Sequence, residues 1–249
     1  MEGAGGDILI STDRIIRAFL TPQRNYRSAP VIPMAHGTHF TTTIPYTFAF
    51  TAASLRPEIA RIVAEEFLSE GGWEAAKRRI LRDNALQART TSSLKRMERE
   101  FRNRLESLTP DQLRMLANGP VEQRTAMSWL GSLKHTKFIW DFVVDCLRSK
   151  LAELEPTLRH SDYENFVSER LATHPELGEL SASTAKKIQT VLFRMLFEAG
   201  LAVKGGRELR IQRPVLNPDT IGVIVADNPR LLAGFLWTDS ELAGITRQV

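Results

Sequence analysis

The side chains whose types and spacing suggest chemistry are cations. Residues 74–104 hold ten Lys and Arg against four acids, a net of +6, and residues 181–213 hold seven against two, a net of +5. The segment between them, 105–180, has eight basic and twelve acidic residues, a net of −4. Over all 249 residues the balance is only +4, so the information lies in the distribution. Two positive islands around an acidic middle point to a polyanionic partner, because Lys and Arg gain affinity by releasing the counterions condensed on phosphates. The candidate contacts in the first island are Arg89, Ser93, Lys95, Arg96, Arg99 and Arg102; in the second they are Ser183, Thr184, Lys186, Lys187, Arg194, Lys204, Arg207 and Arg210. The hydroxyls belong to the pattern because Thr90–Ser93 and Ser183-Thr184 stand just ahead of the cations, where a helix start offers N–H and O–H donors to phosphate. Nothing here ties a side chain to a base edge, so these residues carry no inference of sequence-specific base readout.

Catalytic patterns are missing. The chain has no GxxxxGK[ST] phosphate loop, no HExxH, no GxSxG and no CxxC, so neither an enzyme nor a bound cofactor or metal is expected. His36-Gly-Thr-His39 lacks carboxylate or cysteine partners for a metal site. The Glu65-Glu66 pair reads as a solvated helix face. Cys146, the one cysteine, recurs with Ile139, Phe142, Val143 and Leu147 at helical spacing and reads as a buried structural thiol in a reducing compartment. No stretch reaches the roughly 18 apolar residues of a membrane span; the best, Ile44–Leu55, is shorter and carries hydroxyls. The opening Met1–Asp7 has neither the basic nor the apolar part of a signal peptide. A cytoplasmic protein that does not engage membrane is expected.

The elements that must position these residues are helical. Ser54 is expected to cap a helix from about Leu55 to Leu68 that Gly71-Gly72 ends, and Trp73–Asp83 makes a second. A third runs from Leu94 to about Leu108 with a stripe of Leu94, Met97, Phe101, Leu105 and Leu108, leaving Lys95, Arg99 and Arg102 on another face. That succession predicts a helix-turn-helix unit. Thr109-Pro-Asp-Gln112 is a capping box, and Asn118-Gly-Pro120 closes the helix it starts. Helices from Val121 to about Leu133 and from Thr136 to about Leu154 carry Trp129, Phe138, Trp140 and Phe142, expected in the core because this region is acidic. Ser161-Asp-Tyr-Glu164 reads as another capping box and Pro175 as the start of a short helical turn. Ser183 is expected to cap a helix ending at Gly200, with Ile188, Val191, Leu192, Met195 and Leu196 facing inward. The Gly205-Gly206 pair then predicts a hairpin within Leu201–Ile211, the wing of a winged helix-turn-helix. The sum is an all-α protein with a small β-wing: an N-terminal extension at 1–43, a helix-turn-helix-like unit at 44–108, a helical middle at 109–158 and a winged unit at 159–249.

Three stretches carry a resemblance: Tyr46-Thr-Phe-Ala-Phe-Thr-Ala-Ala-Ser-Leu55, the Arg-rich Arg96-Met-Glu-Arg-Glu-Phe-Arg-Asn-Arg-Leu-Glu106 and, most specific, Ser183-Thr-Ala-Lys-Lys-Ile-Gln-Thr-Val-Leu-Phe-Arg-Met-Leu-Phe-Glu-Ala-Gly-Leu201. They resemble the BrxA family of the bacteriophage exclusion (BREX) defence systems over about residues 44–236. The resemblance implies a compact helical protein that binds double-stranded DNA without catalysis, beside other BREX proteins including the methyltransferase. An adaptor holding those proteins together, or an RNA-binding helical protein, are the rival expectations. RNA is disfavoured because no aromatic platform on strands is evident.

Overall fold

The computed structural model of the chain describes residues 44–205 and 208–246. The N-terminal extension, with its His36 and His39, and Arg207 of the hairpin lie outside the described residues.

Proline, glycine and short polar residues set the boundaries of the first half. Helix α1 (Pro57–Glu70) begins on its proline and stops at Gly71, whose φ of 70° accommodates the left-handed turn. Ser54 is not its cap. Arg56 holds that position, and the Ser54 hydroxyl instead donates to Glu198 Oε1 at 2.9 Å. Helix α2 (Trp73–Asp83) has the expected bounds and ends on Asn84 at φ 47°. The Asn84 side chain then bonds both backbone groups of Ala88, at 3.0 and 3.1 Å, which shapes the turn. Helix α3 (Thr91–Leu105) starts earlier than the apolar stripe suggests, because Thr90 Oγ1 accepts the Ser93 N–H. Helix α4 (Pro110–Asn118) carries the expected Thr109/Gln112 capping box.

Helix α5 (Val121–His135) leads into the centre of the molecule. The helix expected from Thr136 is two α segments, α6 (Lys137–Asp141) and α7 (Arg148–Ala152), joined by a π-helical turn over Phe142–Leu147. Trp129, Phe138 and Phe142 are fully buried as expected, and the Trp129 indole donates to the Gly234 carbonyl at 2.9 Å. Trp140 is only partly buried. Cys146 is also partly buried and packs on the core, which pushes its thiol up to about 12.

The last third interleaves strands with helices. A two-residue strand β1 (Thr157–Leu158) precedes α8 (His160–Arg170), a short 3-10 turn (Pro175–Leu177) and α9 (Ala182–Glu198). The hairpin β2 (Ala202–Gly205) and β3 (Glu208–Ile211) follows as expected, and the sheet order is β1-β3-β2, all antiparallel. Two caps differ from the sequence reading. Helix α8 starts at His160, with the Asp162 carboxylate accepting the Arg159 N–H at 2.6 Å, so Ser161 lies inside its first turn. Helix α9 is capped by Ser181 rather than Ser183. The stripe of α9 is buried at Ile188, Leu192, Met195 and Leu196, with Val191 at the edge. Beyond the sheet, α10 (Pro218–Asp227), a 3-10 segment (Pro229–Phe235) and α11 (Asp239–Thr246) pack back so that one core runs from Tyr46 to Ile245. Among the described residues no helix is long and apolar enough to cross a membrane.

Candidate nucleic-acid interface

Helix α3 divides its charge between two faces. Inward it buries Leu94, Phe101 and Leu105, together with Glu98, Glu100 and Arg104. The Arg104 guanidinium donates to Glu100 Oε1 at 2.8 Å, to Ser54 O at 3.0 Å and to Ala53 O at 2.9 Å, so this member of the basic island is structural. Outward, Arg89, Lys95, Arg96 and Arg99 are exposed, and none pairs with an acid among the described residues. Arg102 differs from them. Its Nε and Nη1 bond Glu98 and Glu106, each at 2.9 Å, and its side chain is 18% exposed. Ser93 sits in the capping turn, where Thr90 Oγ1 accepts its N–H and donates to its hydroxyl at 2.9 Å.

Helix α9 offers a similar arrangement. Ser181 Oγ lies 3.1 Å from Ser183 Oγ and 2.9 Å from Thr184 Oγ1, so three hydroxyls ring the exposed helix start. Lys186, Lys187 and Arg194 are exposed on the outward face; Lys186 reaches Gln189 at 3.4 Å and none of the three has an acidic partner among the described residues. In the hairpin, Lys204 pairs with Leu209 and Arg210 with Val203 and Thr157. Neighbouring strand positions face opposite ways, so Lys204 and Arg210 leave the sheet on different sides. Both are exposed.

Window charge overstates what is free. Lys77 pairs with Glu74, Arg79 with Glu66 and Glu70, and Arg82 with Asp83 in the first island. Arg213 in the second stacks on Trp237 at 4.3 Å and pairs with Glu241. Conversely, Arg78 and Arg56 are exposed without an acidic partner among the described residues, although the sequence reading singled out neither. For Arg78 the signal was its place in the Lys77-Arg78-Arg79 run; for Arg56 there was none.

Beside the helices, Val121, Phe197 and Val215 are exposed to 61, 49 and 93% and border a shallow groove of about 250 Å³ with Glu122, Leu216 and Phe235.

The fold matches that of a crystal structure of an uncharacterized protein from Magnetospirillum magneticum, with a TM-score of 0.67 and 22% identity over 78% of this chain and 98% of that one. The model of the BrxA family matches residues 44–228. The chain belongs to the BrxA family. Family members resembling it include "BREX protein BrxA" of Escherichia coli O9:H4 (strain HS), 26% identical over 66% of this chain and 77% of that protein. The protein of the same name from Paramagnetospirillum magneticum (strain ATCC 700264 / AMB-1) is 27% identical over 59% and 74%. The BrxA match takes in α1 to α10 and both cationic helices, and leaves 1–43 aside.

Proposed function

We propose that this protein is a double-stranded DNA-binding accessory factor of a BREX bacteriophage-defence system, acting in the cytoplasm without catalysis or cofactor and beside other BREX proteins including the methyltransferase. The observation that carries the DNA reading is the pair of capped helices, α3 and α9, whose outward cations lack acidic partners among the described residues. Unpaired Lys and Arg on a helix face cost solvation only when a partner desolvates them, and phosphates repay it with charge-assisted bonds. In this reading α1–α3 form a helix-turn-helix-like unit. The succession α7, β1, α8, α9, β2, β3, with sheet order β1-β3-β2, supports a winged unit with α9 toward the groove. Arg89, Ser93, Lys95, Arg96, Arg99, Ser183, Thr184, Lys186, Lys187, Arg194, Lys204 and Arg210 are the proposed contacts. Arg102 contributes less because Glu98 and Glu106 already hold it. Membership of the BrxA family, shared with the proteins named BREX protein BrxA, supports the BREX assignment. A gel shift on duplex DNA with single-stranded and duplex RNA as competitors tests the reading; equal competition by RNA would refute the preference for DNA.

One observation favours a second reading, an adaptor that holds other defence proteins. Three exposed apolar side chains, Val121, Phe197 and Val215, gather at one groove, and clustered rather than scattered apolar exposure is what a protein-contacting surface presents. Loss of phage defence in a Phe197→Asp variant that still binds DNA would favour it.

A further inference from the structure

Arg56 stands between the two cationic helices in a conformation that arginine rarely adopts. Its φ of 43° lies in the left-handed region, where Gly or Asn is the usual occupant because a larger side chain crowds its own backbone. Two contacts fix its position. Its backbone N–H points to Glu198 Oε2 of α9 at 3.4 Å, and its Nη1 lies 3.9 Å from Met97 Sδ of α3. Glu198 is one turn beyond Arg194 along α9, and Met97, on the apolar side of α3, lies about 100° round that helix from Arg96 at the edge of the cationic face. Arg56 therefore lies beside the flanks of both unpaired faces.

Local acids do not explain the guanidinium. Glu58 is engaged by Arg61 and Arg124, and the Glu198 carboxylate by Ser54 and the Leu55 N–H. The side chain is exposed and makes no ion pair with a described residue. The strap at 50–56 and the start of α1 account for the backbone conformation, which leaves the exposed guanidinium as the part without an acidic partner among the described residues.

We propose that Arg56 is a phosphate-contacting residue that joins the cationic faces of α3 and α9 into one track. The proposal rests on the DNA-binding reading. A planar guanidinium with five donors suits a phosphate lying across the gap, and its charge would supply the link between Arg96 on one side and Arg194 on the other.

The test is a gel shift of the full chain on a random-sequence duplex across a salt series, with melting curves as control. Arg56→Asn removes the charge while tolerating the left-handed backbone. It is expected to melt like wild type, bind roughly tenfold more weakly at low salt and lower the salt slope by about one. Arg56→Lys keeps the charge and is expected to restore most of the binding. If Arg56→Asn binds with wild-type affinity and slope while Lys187→Glu/Arg194→Glu loses DNA, the DNA reading stands and the role of Arg56 is overturned. If Arg56→Lys is as weak as Arg56→Asn, the side chain acts through packing on Met97 and the proposal also falls. If the double charge reversal binds like wild type as well, the DNA-binding reading fails and takes this one with it.

Discussion

Arg104 of α3 and Glu198 of α9 grip the same residue, Ser54. Arg104 Nη1 donates to the Ser54 carbonyl at 3.0 Å, and Glu198 Oε1 accepts the Ser54 hydroxyl at 2.9 Å. The strap between Phe50 and Arg56 thus ties the two cationic helices to one another, and the residues that tie them are charged. Arg104 and Glu100 are 2% and 3% exposed, so removing one partner leaves the other buried without compensation. Arg104→Ala is expected to lower stability by about 3–5 kcal/mol. Glu198→Ala, at a partly exposed site, is expected to cost about 1–2 kcal/mol. Urea unfolding followed by circular dichroism measures both; equal, negligible losses would show that the strap does not hold the helices.

Charge reversal on the outward faces should separate folding from binding. Lys187→Glu/Arg194→Glu and Lys95→Glu/Arg99→Glu alter exposed, unpaired side chains, so each change is expected to shift stability by only about 0.5 kcal/mol. Duplex binding is expected to fall sharply in each double variant. Arg102→Glu behaves differently, because it places a third carboxylate between Glu98 and Glu106; there the melting temperature falls too. Gel shifts paired with melting curves distinguish the two patterns.

Salt dependence reports how many phosphates are touched. With about six contacts drawn from the two faces, affinity is expected to drop roughly a thousandfold between 50 and 200 mM monovalent salt. A binding isotherm at each of several salt concentrations gives the slope, and a flat series would remove the electrostatic account.

The centre of the molecule should be sensitive to volume in both directions. Trp129 is fully buried and bonds the Gly234 carbonyl, so Trp129→Ala is expected to cost about 3–5 kcal/mol. A Cβ at Gly234 would overlap the buried Leu133 side chain, and Gly234→Ala is expected to cost about 1–3 kcal/mol through overpacking. Trp140→Ala costs less than Trp129→Ala because Trp140 is only partly buried. Thermal or urea denaturation ranks the three.

Cys146 should be a poor nucleophile in the folded protein. Burial holds its thiol in the protonated form, up to about 12, and the thiolate is the reactive species. At pH 8 labelling by a disulfide reagent is expected to be slow until denaturant is added, which a time course at 412 nm records. Rapid labelling of the native chain would contradict the packed position.

Local signals were legible where one residue type decides the outcome. Trp73–Asp83 and the Thr109/Gln112 capping box follow from glycine, proline and threonine at fixed offsets, and the α9 stripe from its 3.6-residue repeat. Ser54, Ser183 and Ser161 misled because cap propensity cannot say which of several nearby groups closes a helix. At α9, Ser181 wins with the strong helix former Ala182 directly behind it. Strand β1 is two residues long and exists only through its pairing with β3, far along the chain. At the candidate interface the cations were visible in the sequence, and so was part of their pairing. Arg102 has Glu98 and Glu106 four residues to either side, whereas Arg99 has Lys95 and Asn103, so that difference was legible as i,i+4 spacing once α3 was read as a helix and went unused.

The π-helical turn at Phe142–Leu147 acts as a phase shift along the middle of the chain. One additional residue per turn rotates everything downstream by about 100° relative to an uninterrupted α-helix. Arg148 thereby meets Asp239 and the Trp237 carbonyl, while Lys150 meets Asp162. The central rod is in effect two segments spliced with different facings. Deleting one residue from the splice would straighten the helix locally and re-aim Arg148 and Lys150 away from α11 and α8, so a change of one in chain length here would reach both helices without touching a residue in either.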